Sequence, residues 1–248
     1  MKKYMLAAAA AFALAAPGLA AADSADVGLH YGNIDPDGGD SIDTWGIDGA
    51  YSHQMDSGWV LQMDGQHDSL DVGTDIGSSY AAVNLGARSE GHAMYGFAGL
   101  SDMLALSFVN VGVGGQLYLG NVTVDGSVGY ANSDDADLSV TDANVDGTWF
   151  FTDNFGLTGR VGWAQVDDGS NDTDATTLGV GAAWRPDGSN FTFNAGYDSV
   201  DGDNDGNVWR LGLTYNIGTS SERERSQSGA SFNGARTLYN DTVGLFFF

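Results

Sequence analysis

The sequence has no cysteine and only three prolines. Without cysteine there is no disulfide framework, no thiolate metal site and no cysteine nucleophile. Cationic residues are also scarce: 9 Lys+Arg stand against 33 Asp+Glu in 248 residues, a net charge of −24. Such a balance leaves no basic face to neutralise phosphates, which excludes nucleic-acid binding. Helical periodicity is nearly absent, and no segment beyond the first residues approaches the ~18 consecutive apolar positions of a membrane helix. What is plentiful is glycine, 37 residues, roughly twice its usual share and without a Gly-X-Y period that would signal collagen. Hydrophobic content of 42% with 11% aromatics excludes an acidic disordered tail. The length permits one sizeable domain or two.

Lys2 and Lys3 precede an apolar run from Leu6 to Ala16, followed by Pro17 and small residues through Ala22. This is the pattern of a cleaved secretory signal peptide, so residues 1–22 read as an address and the mature chain starts around Asp23. That chain has no lysine and seven arginines: Arg88, Arg160, Arg185, Arg210, Arg223, Arg225 and Arg236.

From Asp23 onward, alternation with period two recurs. Trp209, Leu211, Leu213, Tyr215 and Ile217 share one face, and Arg210, Gly212, Thr214 and Asn216 the other. Phe155 to Ala164, Leu178 to Arg185 and Trp59 to Gln66 repeat the pattern. These are strands with one apolar face and one small or polar face. About twelve are expected, near 25–33, 42–54, 59–68, 77–88, 92–100, 104–119, 121–131, 138–151, 155–166, 175–185, 190–199 and 207–218. Tight links (Met55 to Gly58, Arg88 to Gly91, Gly120-Asn121, Thr152 to Asn154, Pro186 to Asn190) interleave with acidic ones that read as longer loops. The acidic set is Asp35 to Asp40, Asp68 to Asp75, Asn132 to Asp137, Asp167 to Asp174 and Asp201 to Asp205, with a short link near Ser101-Asp102. The expectation is an all-β, closed antiparallel up-and-down barrel spanning 23–218.

Which face is wet decides the class. A soluble sandwich would carry Lys, Glu and Arg on the faces opposite its core; here those faces hold Gly, Thr, Ser, Asn and Ala with scattered Asp. Aromatics cluster near the ends of the apolar faces: Trp45, Tyr51, Trp59, Tyr130, Trp149, Phe151, Trp163, Trp184 and Trp209. Girdles at two membrane interfaces account for that placement, and strands of about ten residues match a tilted bilayer crossing.

On the signal-peptide pattern, the alternation from Val27 to Ile217 and the terminal Phe246-Phe247-Phe248, the chain resembles the outer-membrane β-barrels of Gram-negative bacteria, specifically small porin-like proteins. The resemblance is one of pattern and carries no diagnostic motif. It implies periplasmic tight turns, extracellular loops, and Arg88 and Arg185 near the periplasmic rim. It also implies that barrel-assembly machinery reads the terminal aromatic, Phe248, and that outer-membrane lipid and lipopolysaccharide surround the barrel. Two features depart from the family. Twelve strands is fewer than the sixteen or so of general porins, so the lumen is narrower. The chain also continues past Ile217 through a polar stretch, Thr219 to Arg236, into Leu238 to Phe248. That segment (219–248) is a thirteenth strand, a replacement for one of the twelve, or a tail folded into the lumen, and the even strand counts of the family disfavour the first.

The phases place Asp48, Asp64, Asp125, Asp146 and Asp198 on the lumen side with Arg160 and Arg210. In a water-filled passage these pore-lining groups favour small cations; in a closed interior the arginines pair with neighbouring carboxylates. Asp201, Asp203 and Asp205 before Gly206 match the first half of a calcium loop, but Gly212 stands where the bidentate carboxylate belongs, so solvated acidic loops are the simpler reading. His30, His53, His67 and His92 are the only histidines. His67-Asp68-Ser69 is adjacent in sequence, and strand neighbours point to opposite faces, which argues against a triad. No G-x-S-x-G or H-E-x-x-H occurs, and no cofactor is implied. The functional expectation is a non-enzymatic channel for small hydrophilic solutes with mild cation preference. The alternatives are a non-conducting surface or adhesin barrel and, third, an outer-membrane hydrolase.

Overall fold

A computed structural model describes residues 23–73, 75–103, 106–133, 136–202 and 205–245. The signal-peptide pattern, Asp203 and Phe248 lie outside the described residues. Twelve strands follow one another: β1 (Asp23–Pro36), β2 (Ile42–Gln54), β3 (Trp59–Asp71), β4 (Asp75–Arg88), β5 (His92–Met103), β6 (Leu106–Tyr118), β7 (Val122–Ser133), β8 (Leu138–Thr152), β9 (Phe155–Asp167), β10 (Asp172–Trp184), β11 (Phe191–Gly202) and β12 (Gly206–Ile217). Each pairs antiparallel with its sequence neighbours, and β1 closes on β12 from Ala25↔Ile217 to Pro36↔Gly206. Closure removes both sheet edges, so every strand finds its backbone partners within the sheet, as a structure surrounded by hydrocarbon requires.

The period-two pattern fixes which side faces out. Leu29, Leu178 and Val180 are 58%, 58% and 65% exposed, whereas their strand neighbours Gly28 and Gly179 face inward against Asp48 and Asp198. Trp45, Trp59, Trp149, Trp184 and Trp209 are likewise exposed on the exterior. Exposing a Leu or Val side chain to water forgoes about 1.5–3 kcal/mol. About thirty exposed Leu, Val, Ile, Met and aromatic side chains would be untenable in a soluble protein of marginal stability. The exterior is a lipid face, and the protein is an outer-membrane-type β-barrel.

Most strands are longer than expected, at 12 to 15 residues, because they run on through the acidic segments, while β2 and β12 have the expected length and β6 is shorter. Asp35, Asp68, Asp71, Asp167, Asp172, Asp174 and Asp201 all belong to strands. The links at that end (37–41, 72–74, 104–105, 134–137, 168–171, 203–205) are no longer than those at the other, where 185–190 is the longest. Carboxylates at the hydrated ends of strands do not interrupt a backbone ladder. The two ends therefore differ in charge and not in loop length.

After Ile217 the chain leaves the sheet. Gly218 has φ +79°, and a side chain there would run into the carbonyl of Asp23, so the turn requires glycine. Two helices follow inside the barrel, α1 (Glu222–Ser228) and α2 (Gly234–Leu245). Of the three destinations open to residues 219–248, the described part of the segment takes the lumen. Ser221 caps α1, its Oγ accepting the Glu224 N–H at 3.1 Å while the Glu224 carboxylate accepts the Ser220 N–H at 2.7 Å. In α2, Ala235, Leu238, Tyr239, Thr242 and Val243 are buried, a helical spacing of three and four that gives one face to the wall. No helix among the described residues is long and apolar enough to cross a membrane; the strands do that.

Candidate functional site

The C-terminal segment divides the lumen. It passes first across the tight-turn end, where Arg185 donates to the carbonyls of Thr219 and Ser189, both at 2.7 Å. The backbone N–H of Arg223 bonds the Asp153 carbonyl, and Gln227 donates to the Gly120 carbonyl at 3.0 Å. Glu222 is buried, accepting from Thr192 Oγ1 at 2.8 Å and from Arg225 at 2.7–2.8 Å. Burial by itself would raise this carboxyl, but the Arg225 guanidinium and these donors outweigh it and hold the group below the ordinary glutamate value.

The segment then turns inward along β3–β8. Arg88 donates to the carbonyls of Ser228 and Gly229 at 2.7 and 3.0 Å and to Ser231 Oγ at 3.1 Å, with its guanidinium 4.8 Å above the Phe232 ring. Gln62 clamps the Phe232 backbone on both sides, donating to its carbonyl at 2.7 Å and accepting its N–H at 3.0 Å. Gln116 donates to the Ser231 carbonyl at 2.7 Å. Phe232 stacks on Tyr95 at 4.3 Å between centroids, and the Tyr95 hydroxyl accepts the Gly234 N–H at 3.1 Å. Further along, Tyr239 donates to Asp68 at 2.7 Å and packs on Tyr80. Tyr80, Tyr95, Phe97, Phe108 and Tyr118 all point inward here, an inner wall of rings where small and polar groups alone were expected.

The opposite half of the lumen, bounded by β9–β12 with β1 and β2, stays open. Its inner face is mostly small or polar: Thr158, Gly162, Gly181, Asn194, Gly196, Gly212 and Thr214. A cavity of about 350 Å³ lies between this wall and the segment, bordered by Asp26, Asp48 and Asp198 and by Arg160, Arg210, Arg225 and Arg236. Beside it a second space of about 30 Å³ reaches Ala164, Val200, Val208 and Gly244, sharing Arg160, Asp198, Arg210 and Asn240 with the first.

All seven residues read as lumen-facing do face inward, but they fall into two groups. Asp48, Asp198, Arg160 and Arg210 border the cavity, and Asp146 pairs with Arg160 at 2.8 Å. Arg210 pairs with Asp198 at 2.9 Å and Arg236 with Asp48 at 3.4 Å. Asp64 and Asp125 are instead buried beneath the segment's side of the lumen; Asp64 accepts from Tyr80 at 2.9 Å and from Asn84 at 2.5 Å. Arg88 and Arg185, placed at the rim by family resemblance, are at the tight-turn end and grip the C-terminal segment. The structure also brings in His30, which lies between Asp48 (3.3 Å) and Asp68 (2.5 Å). The contacts of Arg88 with Ser228, of Arg225 with Asp26 and of Arg236 with Asp48 had no local sequence signal, because the partners lie 140 or more positions apart in the chain; the Arg225–Glu222 pair, three residues apart, is local. One signal did exist: the 235, 238, 239, 242 spacing is helical and marks α2.

At the acidic end, Asp168 accepts the backbone N–H groups of Asn171 and Ser170 at 2.7 and 2.9 Å, which holds its carboxyl below the usual carboxylate range. Asp205 is engaged in turn structure, its carboxylate accepting the Gly202 N–H at 3.0 Å and its carbonyl the Asp37 N–H at 2.8 Å. Asp201 lies near the end of β11.

No protein-family model matches the chain, and no curated protein sequence matches it. Solved structures do. The barrel is similar to the COG4313 outer membrane channel from Pseudomonas putida F1, with a TM-score of 0.61 and 14% identity over 80% of this chain and 96% of that one. It is similar to the NanC porin (TM-score 0.55, 11% identity, 76% and 98% covered) and to the KdgM porin (0.54, 13%, 76% and 98%). KdgM has also been solved in complex with disordered oligogalacturonate. The chain thus has the fold of small outer-membrane β-barrel channels.

Proposed function

We propose that this protein is a channel for passive diffusion of small hydrophilic solutes across a bacterial outer membrane, with a mild preference for cations. The observation that carries this reading is the pair of adjoining spaces along β9–β12, walled by paired charges, amides and glycines and not filled by the C-terminal segment. Within the larger space the cationic and anionic groups nearly balance. The cation preference belongs to the mouth, where Asp35, Asp37, Asp40, Asp71, Asp167, Asp168 and Asp201 crowd one end and raise the local cation concentration. KdgM, a porin of similar fold, binds a polar saccharide, which supports polar solutes as the cargo class. Lipopolysaccharide around the acidic end, barrel-assembly machinery reading Phe248, and export through a cleaved segment 1–22 complete the proposal. His30, the histidine of the lumen cluster, is flanked by the carboxylates of Asp48 and Asp68 and not by a hydroxyl nucleophile, and the Ser89–His92 pair is exposed at the β4–β5 link.

Recording in planar bilayers under asymmetric salt tests this. Discrete conductance with a reversal potential on the cation side is expected; silence, or a clear anion preference, overturns it. The one observation favouring a second reading, a non-conducting surface barrel, is the filled β3–β8 half. Liposome swelling in small sugars separates the two, since only a channel admits them.

A further inference from the structure

Helix α2 has two sides. Ala235, Leu238, Tyr239 and Thr242 are buried against the wall, while Arg236 and Asn240, one turn apart, border the open cavity. Asn240 is held by Gln66, whose Nε2 donates to its Oδ1 at 3.2 Å, and Arg236 by Asp48 and by the Tyr80 hydroxyl at 3.2 Å. These are fixed positions, supported from the barrel wall. Asn240 also borders the smaller space, together with Arg160, Asp198 and Arg210 of the opposite wall. These four residues are the common border of the two spaces.

We infer that α2 narrows the channel and tempers the cation preference of its mouth: Asn240 and Arg236 form one side of a constriction whose other side is Arg160, Asp198 and Arg210. This rests on the channel reading above. In most barrels an inward loop or the wall itself could narrow the lumen; here a segment that follows the last strand does so. It places a guanidinium and an amide opposite a wall arginine pair and a carboxylate. The cavity, about 350 Å³, lies near the lower limit of sites that hold a drug-sized molecule. A space of that size suits a single small polar solute.

The absence of native cysteine makes the test direct in the full-length protein. Asn240→Cys is recorded in bilayers before and after a small cationic methanethiosulfonate reagent. Conductance should fall to about half or less, and the potassium-to-chloride permeability ratio should drop about two-fold; the sulfonate analogue should narrow the pore and move the ratio the other way. Thr242→Cys, buried against the wall, should show neither change. Independently, Arg236→Gln should raise the potassium-to-chloride ratio about two-fold with little change in conductance. If Arg236→Gln fails to assemble, the cysteine pair carries the test. A conducting protein indifferent to modification at Asn240 overturns the constriction and leaves the channel standing. A silent parent protein sinks both.

Discussion

The two halves of the inner wall make the most instructive comparison. Outside they are alike, each a lipid face of Leu, Val, Phe, Tyr and Trp. Inside they diverge. On β3–β8 the inward positions carry rings and long amides, Tyr80, Tyr95, Phe108, Gln62 and Gln116, together with Arg88, and every one of these contributes to a bed on which residues 228–243 lie. On β9–β12 the inward positions carry glycine, alanine, threonine and asparagine, with Arg160 and Arg210 neutralised by Asp146 and Asp198. A barrel interior becomes a packed core where its side chains are large enough to meet a second element, and a water-filled space where they are not.

That contrast makes Phe232→Ala the most damaging change. It removes a fully buried ring stacked on Tyr95 and beneath Arg88, at a cost of about 4 kcal/mol. Hydrogen exchange of residues 222–245, followed by mass spectrometry, should show the segment released while the strands keep their protection. Unchanged protection would mean that the ring bed does not hold the segment. Arg88→Ala comes next, at about 3 kcal/mol, since two carbonyls and a hydroxyl lose a charged donor; the same measurement reads it.

Gly129→Ala sharpens the comparison from the wall side. A Cβ there would run into the Asp142 carboxylate and approach Leu238 Cδ2 to 3.0 Å, so Asp142 and the Leu238 side of α2 must both give way, costing about 2 kcal/mol. The matching change in the open half, Gly162→Ala, meets nothing closer than Thr177 Cβ at 3.6 Å and should alter stability by less than about 0.5 kcal/mol. Equal effects of the two glycine substitutions on a urea titration would erase the distinction between the walls.

Acid should loosen the segment at the tight-turn end. Glu222 is held below the ordinary glutamate value of 4.5, facing Arg225 and Thr192 with Arg185 nearby. A depressed carboxyl contributes stability that is fully present above its unfolded value and is lost as pH falls through the lower folded one. Protection of α1 should therefore be flat at neutral pH and decline as pH drops below about 4.5. Glu222→Gln should start lower and show less of that decline; an identical acid response in both proteins would exclude Glu222 as its source.

Legibility in the sequence followed the range of the forces. Alternation is a local signal with period two, so strand number, phase, lipid face and the inward direction of Asp48, Asp64, Asp125, Asp146, Asp198, Arg160 and Arg210 could all be read from neighbours. Strand ends could not, because Asp68 to Asp71 and Asp172 to Asp174 have loop-like composition, yet cross-strand hydrogen bonding carries them into the ladder. The course of residues 219–245 was open for a related reason. Its polar stretch has no membrane character, and its contacts with Gln62, Arg88 and Tyr95 lie 139 to 170 positions away in the chain.

The sequence by itself therefore determined that the chain closes into a lipid-facing barrel, because each strand's pattern must satisfy only its own two faces. Only the tertiary structure decided how wide the enclosed space is and which charges it presents. Those depend on two walls and a returning segment meeting at fixed distances, and no local pattern encodes such distances.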